Sequence, residues 1–165
     1  MKTGIFYGSS TGTTERVARE IAKAMSVADA DVYNVSETAP DRLGAYDLIV
    51  MGSPTYGAGE LQDDMYDFLD GASVLDLTGR RVAVFGDGDE SMTDTFCNAV
   101  GIIYDRMKDT GATMAGTYNT FPYEFDRSKA VPVQGGEAVG LLIDEVNHPD
   151  VTAGRIAGWV KTLEK

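Results

Sequence analysis

Basic residues are scarce in this chain of 165 residues: 14 Lys and Arg stand against 26 Asp and Glu, for a net charge of −12. Phosphate backbones are bound by basic patches, so the balance argues against nucleic acid as a partner. The single cysteine, Cys97, forbids an internal disulfide framework and fits a reducing cytoplasm. The single histidine, His148, sits in the turn sequence "NHPD". With no second imidazole we expect a solvated loop residue there and no metal site. No apolar run approaches the roughly 20 residues of a membrane span. The N-terminus enters a strand almost at once, so no signal peptide is expected. Repeats, low-complexity tracts and linkers are missing too, and the chain reads as one monomeric domain over residues 1–165.

What is present is a rhythm. Short apolar runs rich in Val, Ile, Phe and Tyr occur at Thr3–Tyr7, Asp31–Val35, Leu48–Gly52, Val82–Gly86 and Thr113–Tyr118. Their continuity fits strands buried on both faces of a parallel sheet. Between them, helical spacing relates Val17, Ile21 and Met25; Phe96, Val100, Ile103 and Met107; and Ile156, Trp159, Val160 and Leu163. A weaker helical pattern covers Leu61–Leu69. Strands alternating with helices predict an α/β doubly wound sheet with helices on both faces. After Gly116 the pattern breaks over Pro122, Pro132 and Gly135-Gly136, and "AVGLLID" then reads as strand again. We expect a fifth strand interrupted by an inserted loop, and loops of that length are usually functional or mobile.

In such sheets ligands sit outside the carboxyl ends of the strands. Three loops leave those ends: Gly8–Thr14, Ser53–Glu60 and Asp87–Thr95. In the first, Ser9 to Thr14 are all hydroxyl-bearing or glycine, and they lead into a helix. Amides converging at a helix N-terminus, with hydroxyl donors around them, suit an anion. Lysine is missing, so the loop does not have the G-x-x-x-x-G-K-[ST] pattern of a nucleotide triphosphatase. The G-x-G-x-x-G pattern of a dinucleotide fold is absent as well. A terminal monophosphate that is held and not transferred remains. The second loop presents Tyr56, a potential stacking plate for a flat ring. The third, "GDGDESMTD", lacks calcium-loop spacing and carries Gly86 and Gly88, which permit close backbone approach.

The stretches "IFYGSSTGTTERVAREI", "SPTYGAGELQ", "GDGDESMTDTF" and "VTAGRIAGWV" resemble flavodoxins in order and spacing, over essentially the whole chain. The interrupted last strand is similar to that of the long-chain subclass. The resemblance implies a flavodoxin-like five-stranded parallel sheet of order 2-1-3-4-5. It also implies non-covalently bound FMN, acting as a low-potential one-electron carrier that cycles between half-reduced and fully reduced forms. By position, Ser9, Ser10, Thr11, Gly12, Thr13 and Thr14 would wrap the phosphate. Ser53, Pro54, Thr55, Tyr56, Gly57 and Ala58 would line the inner face and N5 edge of the isoalloxazine, with the Gly57 carbonyl as the acceptor that N5–H needs on half reduction. Asp87, Gly88 and Asp89 would contact the pyrimidine side, with Gly86, Phe96 and Cys97 adjacent. The chain departs from the family at the outer face: no tyrosine stands there, the loop is one residue shorter, and Met92 or Thr93 falls in its place. Methionine can lie against a ring through its polarisable thioether.

From Leu43 to Asp105 twelve acidic residues face only Arg80 and Arg81, so this segment carries −10 of the −12. It suits a docking face for a basic redox partner: a flavoprotein reductase of the ferredoxin-NADP type, a photosystem, a nitrogenase system or another low-potential donor or acceptor. Solubility alone would also account for it. The pairs Asp63-Asp64 and Asp144-Glu145 read as solvated or docking charges, Cys97 as a packing or cofactor-adjacent residue, and Trp159 as core. An FMN-dependent NAD(P)H:quinone reductase is the enzymatic alternative. A phospho-receiver domain is excluded, because it needs acidic residues where Tyr7-Gly8 and Gly52-Ser53 stand.

Overall fold

In the computed structural model, which describes residues 1–56 and 58–164, the first apolar run folds as strand β1 (Thr3–Tyr7). Its side chains alternate between two cores, as strand geometry requires. Ile5 and Tyr7 point to one face of the sheet and Phe6 to the other. Four further strands continue the pattern: β2 (Val32–Asn34), β3 (Leu48–Tyr56), β4 (Glu60–Leu61) and β5 (Arg81–Asp87). The last position of the sheet is shared by β6 (Thr113–Ala115) and β7 (Leu141–Ile143).

The spatial order is β2-β1-β3-β5 and then β6 with β7, all parallel. Counting positions, this is the expected 2-1-3-4-5 sheet, with the antiparallel β4 appended to the end of β3. The interruption of the last strand is also present. β6 pairs with residues 81–83 of β5, and β7 pairs with residues 85–87 of the same strand. Between them the chain leaves at Gly116, whose φ of 84° lies in the left-handed region that glycine tolerates. It returns through an antiparallel bridge of Ala138 to Tyr118.

Helices α1 (Thr13–Met25) and α4 (Thr152–Leu163) cover one face; α2 (Asp63–Ala72) and α3 (Asn98–Met107) cover the other. Val17, Ile21, Ile156, Trp159, Val160 and Leu163 are buried at the expected helical spacing. Trp159 is core, and its indole N–H donates to the Gly116 carbonyl at 2.8 Å.

Several boundaries differ from the expectation. β2 keeps only Val32–Asn34 of Asp31–Val35, and β6 stops at Ala115 instead of Tyr118, where the insertion leaves the sheet. β3 runs four residues past Gly52, because Ser53 and Pro54 pair with Gly86 and Asp87, and Thr55 and Tyr56 pair with β4. Leu61 therefore belongs to a strand, and α2 starts only after Gln62, whose side chain accepts from the Met65 N–H as its cap. Phe96 lies ahead of α3, separated from it by Cys97 with φ 51°.

Candidate functional site

The strand register aligns Tyr7, Gly52, Phe85 and Leu141 across the sheet, so the chain segments that follow them gather at one edge. β1 is the switch point: the chain goes from it to β2 on one side and from β3 outward on the other. That is where ligands of open α/β sheets sit.

The first loop ends at Gly12, in the left-handed region with φ 93°, and nothing lies within 4 Å of where a Cβ would be. No side chain caps α1. Its first N–H groups have no intrahelical partner by the geometry of any α-helix, and Ser10, Thr11 and Gly12 beside them are exposed. Ser9 Oγ accepts from the Gly12 N–H at 3.1 Å, which tightens the loop. The only acidic residue in the first turn is Glu15. An uncapped helix start ringed by hydroxyls is a competent anion cradle.

The second loop lies beside it. Ser53 and Pro54 are buried in β3, and Ser53 Oγ accepts from Gln62 N at 3.2 Å. Gln62 Nε2 reaches Ser10 Oγ at 3.4 Å, so one buried amide ties the two loops together. Thr55 Oγ1 accepts from the N–H of Ala99 at the start of α3. Tyr56 is half-buried, with its hydroxyl buried and without a hydrogen-bond partner among the described residues. Ala58 is exposed. Gly57, expected to present its carbonyl to the ring, lies outside the described residues.

In the third loop the side chains do other work than expected. The Asp87 carboxyl faces α1, where it accepts from Thr14 Oγ1 at 2.6 Å. Burial pushes it up to about 6, the Thr14 bond and Arg16 pull it back, and Glu145 adds to the rise. The Asp89 carboxylate closes its own turn, accepting from Ser91 N and Oγ and from Asn147 Nδ2. These bonds hold its pKa below the ordinary value. Both carboxylates are thus committed within the protein. Gly86 is buried, and Gly88 donates to the Ile143 carbonyl. Met92 is half-exposed. Phe96 and Cys97 are not on the surface of the site: Phe96 packs against Tyr123 and Phe125 of the insertion, and the Cys97 thiol points at the Gly86 and Ile143 carbonyls. Burial raises that thiol's pKa further, so it stays protonated.

A fourth loop, Asp144 to Val151, leaves the end of β7 and was not anticipated. Asp144, expected to be solvated, is fully buried and accepts from Glu90 N, Val146 N, Asn147 N and Asn147 Nδ2. Its carboxylate knots the third and fourth loops together. His148 is likewise not a free turn residue: Nε2 lies 2.6 Å from Glu90 Oε1, and the ring edge meets Tyr123. Glu90, Asp144 and His148 bring their ligand atoms within 4.8 Å of one another, a juxtaposition that a lone histidine in the sequence did not suggest. The available signal was positional: β7 ends at the same edge as β1, β3 and β5.

The family described as flavodoxin matches residues 5–159. This chain belongs to the flavodoxin family. It is 40% identical over 164 residues to flavodoxin 1 of Escherichia coli, covering 99% of this chain and 93% of that one. The flavodoxin of Synechocystis is 38% identical over 165 residues, covering 99% and 96%. Among solved structures, the Fusobacterium nucleatum flavodoxin bound to flavin mononucleotide superposes with a TM-score of 0.90 at 28% identity, covering 99% of this chain and 98% of that one. Within this flavodoxin-family chain the insertion folds back on the third loop. The Thr93 carbonyl accepts from Asp126 N and Arg127 N, and Glu90 Oε2 accepts from Glu124 N. A cleft of about 800 Å³ is lined by the insertion, from Thr120 to Gly136, and by Asp94 of the third loop.

Proposed function

We propose that this chain binds FMN non-covalently across its first three loops and serves as a low-potential one-electron carrier between redox proteins. The observation that carries the reading is the uncapped start of α1 that follows the cation-free Ser9–Thr14 hydroxyl loop. The exposed backbone of Ser10, Thr11 and Gly12 and the hydroxyls of Ser10, Thr11 and half-buried Thr13 hold the phosphate. Thr55, Tyr56, Gly57 and Ala58 border the inner face of the ring, the backbone from Asp87 to Asp89 borders its pyrimidine edge, and Met92 covers part of the outer face. Bound FMN supplies one-electron chemistry at its isoalloxazine. The protein adds acidic, partly apolar surroundings, which disfavour a further negative charge on the ring. Oxidised cofactor is then held more tightly than fully reduced cofactor, and by linkage the bound cofactor, once reduced, is a stronger reductant than the free one.

The interrupted last strand supports a reading of the chain as one of the long-chain subclass. Partners dock on the acidic rim formed by Glu60, Asp63 and Asp67, all exposed. A flavoprotein NADP reductase or a photosystem with a basic face has the complementary charge. The chain works as a cytoplasmic monomer; among the described residues no helix is long and apolar enough to cross a membrane.

The absorbance spectrum of the purified protein tests the cofactor: flavin bands, with FMN and not FAD released on denaturation. Thr11→Val tests the loop. Loss of one hydroxyl donor to a charged group costs about 1.5–3 kcal/mol, so FMN affinity should fall by tenfold or more while riboflavin, which lacks the phosphate, binds unchanged. Steady NADPH oxidation by the isolated protein would instead support a quinone reductase.

A further inference from the structure

The Thr14 hydroxyl carries one proton, and in this structure it is already committed. Thr14 is the second residue of α1 and is 1% exposed; its Oγ1 donates to Oδ1 of Asp87 at 2.6 Å. Asp87 is the last residue of β5 and is 7% exposed. The fold has therefore placed a carboxyl group of its own under the helix start that serves the Ser9–Thr14 loop.

The groups around Asp87 do little to neutralise it. From α1 come the Thr14 hydroxyl and Arg16, whose side chain is more than half exposed and is shared with Glu145 at 3.3 Å. From the fourth loop comes Glu145, and from the start of α3 the protonated Cys97 thiol. Glu145 opposes ionisation, and the one guanidinium nearby is half-solvated and shared with it, so the carboxylate is short of compensation. Burial accordingly raises its pKa to about 6.

We propose that the phosphate of the ligand held by the Ser9–Thr14 loop binds with uptake of one proton at Asp87, which releases the Thr14 hydroxyl to the phosphate. The inference rests on the reading of that loop as a phosphate site. While Asp87 is ionised, Thr14 O–H donates to Oδ1, and Oγ1 shows only lone pairs to an incoming anion. A solvent proton added to Asp87 reverses the bond: the carboxyl O–H donates to Thr14 Oγ1, and the Thr14 O–H is free to donate to a phosphate oxygen. No covalent bond to the ligand is made or broken. A bound dianion raises the pKa of a neighbouring carboxyl further, which drives the uptake.

The experiment titrates the apoprotein with FMN and, separately, riboflavin, by calorimetry at pH 7.5–8 in two buffers of different ionisation enthalpy. Phosphate esters have a second pKa of about 6, so free FMN is already the dianion there and takes up no proton itself. The expected result is an uptake approaching one proton per FMN and none with riboflavin. Between pH 6.5 and 8 the ratio of FMN to riboflavin affinity should fall, by at most about tenfold per pH unit. In Asp87→Asn the amide donates to Thr14, so both the uptake and the slope should vanish, and FMN should bind at least about tenfold tighter at pH 8 than in the parent. Negligible uptake in the parent, or uptake that persists in D87N, overturns the proposal. If D87N does not fold, the FMN-minus-riboflavin uptake of the parent decides alone. If riboflavin binds as tightly as FMN at every pH, the phosphate reading itself has failed and the proposal goes with it.

Discussion

A buried acid with a raised pKa is a stability defect that the protein keeps. Asp87 titrates at about 6 in the folded chain against an ordinary value of 3.8. Between those values the folded state holds a proton that the unfolded chain has lost. Stability therefore falls as pH rises through this window, and above it the full penalty, up to about 3 kcal/mol, is present. Asp87→Asn removes the ionisation while keeping a donor for Thr14 Oγ1. Urea unfolding of the apoprotein should show the variant more stable than the parent by about 1–3 kcal/mol at pH 8, with the gap closing below pH 4. A gap of equal size at pH 4 and pH 8 would mean that the charge is not its cause. Asp144, equally buried, is the contrast: four N–H donors converge on its carboxylate, so its burial is compensated.

Individual elements are held by how closely their backbones approach. Gly101 in α3 lies under the turn formed by Ser128 to Val131 of the insertion, where an added Cβ would stand 2.1 Å from the Lys129 carbonyl oxygen. The same turn is anchored by Asn98 Oδ1, which accepts from Lys129 N at 2.8 Å, and by Ser128 Oγ, which donates to the Phe96 carbonyl. Gly101→Ala should lift the turn and cost about 1–3 kcal/mol by overpacking. Gly158 in α4 is helical too, yet nothing lies within 4 Å of its added Cβ. Gly158→Ala should stabilise by about 0.5–1 kcal/mol, the ordinary gain of alanine over glycine in a helix. Urea midpoints of the two variants, moving in opposite directions from the parent, check both. A gain in Gly101→Ala would show that α3 is not in contact with the insertion in solution.

At the scale of the whole molecule the charge is arranged, and not merely abundant. Asp63, Asp67 and Asp70 recur along α2 at spacings of four and three, which puts them on one face over about 10 Å. Asp70 is paired with Arg106 at 2.8 Å, and Asp64 is engaged by Gln62 Nε2; Asp63 and Asp67 are left exposed at the end of α2 nearest the site. Reversing both to Lys should slow association with a basic flavoprotein reductase by tenfold or more at low salt. The difference should shrink as the screening length falls to about 8 Å at physiological ionic strength and about 3 Å at 1 M. Stopped-flow rates that depend neither on salt nor on the reversal would reduce the acidic segment to a solubility feature.

The sequence by itself determined whatever depends on neighbours along the chain. Five strand positions, the four helices, the break after Gly116 and the hydroxyl loop before α1 were legible, because strand alternation, helical spacing and turn composition act over a few residues. Partners distant in sequence decided the rest. β3 extends to Tyr56 because β5 and β4 offer it edges, and nothing in "SPTY" announces that pairing. Phe96 keeps helical spacing with Val100, yet its ring is claimed by Tyr123 and Phe125 across a 25-residue insertion. Asp144 and His148 read as turn residues until β7 carries them against the third loop. The Thr14–Asp87 hydrogen bond spans 73 positions and exists only because β1 and β5 end at the same edge of the sheet. Composition marked both residues as part of the site. Only packing decided that the carboxyl would be buried against the hydroxyl, since desolvation is a property of what closes around a group and not of the group itself.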